Sequence, residues 1–153
     1  MYAQASTTEA CSGSALGLLF RQVRDAMWAR MERELALAGH DLTFSQYITI
    51  KKLADGTNAS VTDLARAADL NPGAMTRLLD KLEARGLLAR VADPHDRRAL
   101  HIHLTDAGRR LWSDVDQCGR RVRERALHGM DDATRTRLTQ LLEQVRDNLL
   151  STD

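Results

Sequence analysis

Two short helices separated by a tight break limit most strongly how this chain can fold. Ser60 or Thr62 can cap the first helix, because a hydroxyl accepts a hydrogen bond from a free N–H group at a helix start. Asn71 can cap the second helix, Pro72 suits its first position, and Gly86 suits its left-handed end. Two such helices joined by so short a turn predict a helix-turn-helix.

A β-hairpin with a charged tip is predicted directly after this helix pair. Residues 87–91 are apolar enough for a strand, and residues 100–104 alternate apolar side chains with histidine. The polar loop between them carries Asp96, Arg97 and Arg98. A rigid ribbon of this kind can deliver arginine into a narrow minor groove of DNA, with Asp96 placed to hold a guanidinium in one orientation.

Longer helices are predicted on both sides of this unit. Apolar residues at steps of three and four predict one helix over about 14–38, and two more over about 105–150. Another helix is expected to follow Thr43, and residues 59–61 are predicted as a very short strand. The first and last helices are longer and more apolar than a lone winged-helix domain requires, which favours a dimer.

The domain organisation follows from these elements. With no repeat or linker to divide it, the stretch 14–153 is expected to be one domain behind a flexible tail over 1–13. The fold class is mostly α (α+β), a winged helix-turn-helix over about 43–104 flanked by N- and C-terminal dimerisation helices.

The composition indicates in which cellular compartment the protein works. The longest apolar stretch, 15–20, is too short to cross a bilayer, and the first residues do not resemble a secretory signal, so we expect a cytoplasmic protein without a membrane partner. Cys11 and Cys118 are far apart and lack the spacing of a zinc site, so neither a disulfide nor a structural metal is predicted.

The net charge and the aromatic content limit which kinds of partner the protein can bind. The net charge is +1, and aromatic residues make up 4% of the chain, which is too few for the stacking platforms that bind single strands. A nucleic-acid partner would therefore be duplex DNA. The sequence contains no nucleophile elbow and no phosphate-binding glycine loop, so we expect neither an enzyme nor a bound cofactor.

The start of the second short helix carries the candidate base-reading residues. A capped helix of this size fits the major groove, and its exposed first turns would face base edges. Arg77 can reach guanine acceptors or a phosphate from this position. The candidates are Asn71, Pro72, Gly73, Thr76 and Arg77.

The stretch 71–108, NPGAMTRLLDKLEARGLLARVADPHDRRALHIHLTDAG, closely resembles the MarR (multiple antibiotic resistance regulator) family of winged-helix transcriptional regulators. The resemblance rests on Leu82-Glu83, Gly86-Leu87, Arg90, Asp93-Pro94, Asp96-Arg97-Arg98, Leu104-Thr105 and Gly108. It implies that the helix from Pro72 reads the major groove, and that Asp96 orients Arg98 for entry into the minor groove.

The resemblance also implies a homodimer whose first and last helices intertwine. A two-fold dimer places its recognition helices about one DNA turn (~34 Å) apart, so the operator should be a pseudo-palindrome. The implied function is sequence-specific repression of transcription.

Many members of this family release DNA when a small aromatic or phenolic acid binds between the dimerisation helices and the DNA-binding lobe. Candidate lining residues on the first two helices are Arg21, Arg24, Trp28, His40 and Tyr47. Their cationic, aromatic and hydrogen-bonding groups suit such a ligand. The alternative is that Trp28 and Tyr47 belong to the core or an interface, with both arginines on a solvated face.

Three further functions stay open. Relatives that sense peroxide carry a cysteine near the position of Leu18, where this chain has none, although Cys11 or Cys118 could still be oxidised. His101 and His103 share a strand face, which permits either a metal site or the polar face of a wing. The apolar helices could alternatively bind another protein, as in a helical adaptor.

Overall fold

The computed structural model describes residues 13–56, 59–96 and 98–151. Within these ranges the chain forms six α-helices and one two-stranded antiparallel sheet, which confirms the mostly helical fold class. In chain order the elements are α1 Gly13–Leu37, α2 Phe44–Ala54, α3 Val61–Ala67, α4 Pro72–Ala84, β1 Leu88–Ala92, β2 Leu100–Leu104, α5 Asp106–Ala126 and α6 Asp132–Leu150. The tail predicted over 1–13 lies outside the described residues, except for Gly13, with which α1 begins.

Side-chain caps fix where the helices begin. In each of five helices the residue before the first turn accepts a hydrogen bond from the backbone N–H three positions later. These caps are Thr43, Ser60, Asn71, Thr105 and Asp131.

The very short strand predicted over 59–61 is wrong. Ser60 caps α3 in a reciprocal box with Asp63, and Val61 is already helical. The box satisfies two N–H groups at the start of the helix, so this backbone has its partners without joining a sheet.

The hairpin is a regular antiparallel pair that leaves the core toward its tip. Leu88 pairs with Leu104 and Arg90 with Ile102, while Ala92 pairs with Leu100 near the turn. Ile102 and Leu104 are buried, whereas Leu100 is exposed. The hairpin therefore projects from the body as a wing.

The core lies among the C-terminal half of α1, α2 to α5 and the base of the hairpin. Its fully buried side chains include Leu35, Ile50, Leu64, Met75, Leu79, Val115 and Cys118. In contrast, α6 contributes no buried residue, and apolar side chains in the N-terminal half of α1 are exposed. Among the described residues, no helix is long and apolar enough to cross a membrane.

Candidate nucleic-acid interface

The first turns of α4 form an exposed surface held by a buried opposite face. Asn71 Oδ1 accepts a hydrogen bond from the Ala74 N–H at 2.8 Å, and Pro72 occupies the first helical position. Gly73, Thr76 and Arg77 are exposed around this start. The opposite face, formed by Met75, Leu79 and Leu82, is buried. The five predicted base-reading residues thus lie together on a rigid helix.

The turn between α3 and α4 has a left-handed residue that sequence reasoning missed. Asp69 has a φ of 54°, and the Leu70 N–H donates to the Ala65 carbonyl at 2.9 Å. This is the Schellman arrangement that usually takes glycine, although aspartate tolerates it better than most residues. The turn brings α4 against α3 and so defines the helix-turn-helix.

The wing tip is organised around the carboxylate of Asp93. Its Oδ1 accepts hydrogen bonds from the backbone N–H groups of His95 at 2.7 Å and Asp96 at 3.2 Å. Its Oδ2 lies 2.6 Å from Nε2 of His101. The His95 N–H bond and, after it, the His101 bond lower the pKa of Asp93 below its ordinary value.

Asp96 holds Arg98 through the backbone. Its Oδ1 accepts the Arg98 N–H at 2.9 Å, while the Arg98 side chain is exposed. Arg97 lies outside the described residues. In the described part of the chain, no three histidine, cysteine or acidic side chains are placed to hold a metal ion.

Arg90 joins the wing to α4, which sequence reasoning did not anticipate. Its guanidinium pairs with Asp80 and lies 3.5 Å from Glu83, and the side chain is mostly buried. Asp80 and Glu83 are three residues apart, so they share a face of α4. Two acidic residues at this helical spacing, followed by an arginine in a strand, were the sequence signal that could have predicted the contact. The contact fixes the angle between the two elements that would enter the DNA grooves.

A cavity of 410 Å³ lies between α1, α2 and α5. Three of the five predicted ligand residues, Arg24, Trp28 and Tyr47, line it. Arg21 is exposed on α1 outside this lining, and His40 instead faces Asp114 at 3.4 Å. The structure therefore brings three of the predicted ligand residues together and places the other two outside the cavity.

The cavity combines an aromatic wall with cationic side chains. The Trp28 ring meets Phe44 edge-on at 5.1 Å and lies 5.8 Å from Tyr47. Burial raises the pKa of the Tyr47 hydroxyl, which keeps it a neutral donor. Lys51 and Arg123 add positive charge that sequence reasoning missed, because they belong to different helices from Arg24.

Cys118 is a core residue. It is fully buried, its thiol lies 3.6 Å from the Glu34 carbonyl, and burial raises its pKa. A buried thiol with a raised pKa is a poor target for oxidants. Cys11 lies outside the described residues.

Comparison with known proteins agrees with this architecture. A model of the MarR family matches residues 40–99. The chain is 35% identical over 113 residues to the HTH-type transcriptional regulator TtmR of Methylorubrum extorquens, a match over 74% of this chain that spans 57% of TtmR.

Solved structures extend the likeness along the whole fold. The crystal structure of the transcriptional regulator PA3341 superposes with a TM-score of 0.77 at 31% identity, over 88% of this chain and 97% of that one. CouR from Rhodococcus jostii, bound to p-coumaroyl-CoA, superposes with a TM-score of 0.73 at 26% identity over 99% of both chains. TtmR and PA3341 are transcriptional regulators, and the chain, with its helix-turn-helix, its wing and the matching family model, belongs to the MarR family.

Proposed function

We propose that this protein is a homodimeric repressor that binds duplex DNA at a pseudo-palindromic operator. The observation that carries the proposal is α4, which is capped at Asn71, anchored by its buried face, and exposed at Gly73, Thr76 and Arg77. Side chains on the first turns of such a helix can read base edges in the major groove.

The wing would supply the second contact. Asp93 and Asp96 fix the backbone around Arg98, and the Arg98 side chain extends into solvent. An arginine whose backbone is fixed on a projecting ribbon suits the negative potential of a narrow minor groove. Arg97, which follows Asp96 in the sequence, is proposed to contact the DNA at the same groove.

The second copy would cover the exposed apolar faces of α1 and α6. An apolar groove of 390 Å³ lies between them, lined by Phe20, Leu142, Val145, Leu149 and Leu150 and the side chain of Arg146. Large apolar side chains of both helices are exposed here, among them Leu149 and Leu150, and contiguous exposed apolar residues mark interaction sites. A two-fold dimer would present two α4 helices to half-sites about one DNA turn (~34 Å) apart.

The aromatic cavity is the proposed effector site. Arg24, Lys51 and Arg123 could pair with a carboxylate, while Trp28 and Tyr47 would hold an aromatic ring. The related CouR was crystallised with an aromatic acyl-CoA, which supports an aromatic ligand class. Because the cavity joins the dimerisation helix α1 to α2 of the DNA-binding lobe, a ligand that prefers one spacing of these helices would shift DNA affinity.

The direct test is a fluorescence-anisotropy titration against the promoter of the protein's own gene, with a scrambled duplex as control. We expect tighter binding to the promoter than to the scrambled duplex, and an affinity that falls steeply as the salt concentration rises. Arg98→Ala should weaken binding about 10-fold or more, whereas Arg137→Ala, an equal charge loss on α6, should not. If neither the promoter nor a random-sequence pool yields a preferred site, the adaptor function would replace the repressor.

The effector is tested with 4-hydroxybenzoate. We expect it to quench tryptophan fluorescence and to weaken operator binding, with both effects reduced about 10-fold in Arg123→Gln and unchanged in Arg110→Gln. Quenching that Arg123→Gln leaves intact would place the ligand elsewhere.

A further inference from the structure

A second cavity, of 490 Å³, lies where the C-terminal part of α5 and the start of α6 face α1. It shares no lining residue with the aromatic cavity. Its cationic lining consists of Arg30, Arg120, Arg121, Arg125, His128 and Arg135. We call this cavity the arginine cleft.

The arginine cleft holds more positive charge than it neutralises. Five arginines face two glutamates, Glu34 and Glu124, which leaves a formal charge of +3 with histidine neutral. Glu34 is already shared, since its Oε2 lies 2.7 Å from Arg121 and its Oε1 lies 2.9 Å from Arg30. Glu124 pairs with Arg135 at 3.3 Å.

The remaining cations have no partner in the cleft. Arg120 turns to Asp116 at 2.8 Å, on its own helix. Within the described residues Arg125 and His128 form no ion pair. The end of α5 stabilises positive charge through the helix dipole, which accounts for Arg125 in isolation. It does not account for the convergence of cations from α1 and α6 on the same cavity.

One local feature places like charges side by side in the cleft. Arg121 and Arg125 lie one helical turn apart on α5, a spacing at which like charges destabilise a helix. An anion bound in the cleft would relieve this repulsion.

We propose that the arginine cleft binds a multiply charged phosphate group of a small metabolite. Guanidinium groups match phosphate oxygens in bidentate geometry, and the excess positive charge, +3 for the lining and +2 once Asp116 is counted against Arg120, favours an anion with more than one negative charge. The volume falls in the range of small-molecule sites. The lining has no aromatic residue, so the recognised part is the phosphate rather than a ring. The site is independent of the proposed DNA contact.

The test is calorimetric titration of the full chain with pyrophosphate, in low-salt buffer. We expect one pyrophosphate per chain, and binding weakened at least about 10-fold in the double variant Arg125→Gln/His128→Gln. In the described part of the chain neither residue holds an ion pair, so this variant should fold, which a thermal melt verifies. Arg137→Gln, an equal loss of charge on α6, should bind as the unmodified protein does.

Four results would overturn the proposal. One is the absence of pyrophosphate binding at millimolar concentration, and another is equal affinity in the double variant. The third is equally tight binding of citrate, which would mean that the cleft recognises negative charge rather than phosphate. Dissociation of a dimer by pyrophosphate, measured by light scattering, would likewise count against it by showing that a second copy fills the cleft.

Discussion

At Gly108 a hydrogen atom is the largest side chain that the fold can hold. A Cβ built there would lie 2.0 Å from the Leu87 carbonyl oxygen and 3.3 Å from Leu104 Cβ. The close approach exists because Thr105 joins the two segments: its N–H donates to the Leu87 carbonyl at 3.1 Å, and its hydroxyl donates to the Gly86 carbonyl at 2.5 Å. Gly86, Thr105 and Gly108 therefore form one junction, at which α4, the wing and α5 meet.

Gly108→Ala should lower the free energy of unfolding by about 3 kcal/mol, because a backbone carbonyl cannot move aside as a side chain can. Gly119→Ala is the matched control on the same helix. Its Cβ would meet side chains rather than backbone, the Arg123 guanidinium at 3.2 Å and the Tyr47 hydroxyl at 4.0 Å, so the gain in helix propensity should stabilise the protein by ~0.5–1 kcal/mol. Urea unfolding of both variants measures this, and equal effects of the two would contradict it.

Arg77 decides how the proposed recognition helix reads sequence. It is exposed on α4, one position after Thr76, whose hydroxyl donates to the Pro72 carbonyl at 3.0 Å. If Arg77 contacts a base, Arg77→Ala should cost roughly 1–3 kcal/mol and relax the preference at one operator position. Binding to a library of single-base operator variants measures this, with Lys81→Ala as the control at the other end of α4. Equal weakening on every duplex would make Arg77 a phosphate contact.

Among the elements, α1 and α5 are joined by a buried carboxylate. Glu34 on α1 is almost fully buried and contacts Arg121 of α5, 87 positions away in the chain. The hydrogen bond from Arg121 is the main cause that lowers the pKa of Glu34 below its ordinary value of 4.5, against the opposing effect of desolvation. The charged form is thus favoured by folding.

The contribution of Glu34 to stability should depend on pH. Because its pKa is lower in the folded chain than the value of 4.5 expected after unfolding, the stabilisation is complete above that pH and is lost as the pH falls through the lower folded value. The difference in melting temperature between the unmodified protein and Glu34→Gln should be constant from neutral pH to about pH 5 and should shrink below it. Glu32→Gln, an exposed neighbour on α1, should show no such change. A difference that persists into strong acid would contradict the assignment.

At the scale of the whole molecule, α6 is the helix that is least supported by packing within the chain. This helix of 19 residues buries none of its side chains, and Leu149 is 79% exposed. In proteins most of the stability of a helix comes from the tertiary packing of its apolar face. The exposed apolar residues of α1 and α6 lie on both sides of the same groove, which is the basis for the proposed dimer.

Leu149→Glu should weaken the dimer at least about 10-fold, because it places a charge in an apolar contact. Light scattering should give about 34 kDa for the unmodified protein, twice the 17.1 kDa chain, and a smaller, concentration-dependent mass for the variant. Leu37→Glu changes a comparably exposed leucine at the other end of α1, 75% exposed, and should leave the dimer intact. A monomeric unmodified protein would exclude the two-fold arrangement proposed for DNA binding.

Local sequence patterns predict the order of the elements and where most of them begin and end. Caps such as Asn71 and the glycine after α4 act through hydrogen bonds within three to five residues, so local sequence contains the necessary information. It failed at 59–61, where apolar and hydroxyl residues suit a strand and a capped helix equally well. Only the reciprocal bonds of Ser60 and Asp63 decide between them.

Which side chains meet depends on how the helices pack against one another. Arg24, Trp28 and Tyr47 share a cavity while Arg21 and His40 do not, because helix packing sets which face of α1 is turned toward α2 and α5. The junction of Arg90 with α4 and the convergence of arginines on one cleft have the same origin. These contacts join residues from separate elements, and their geometry depends on packing angles that no local pattern encodes.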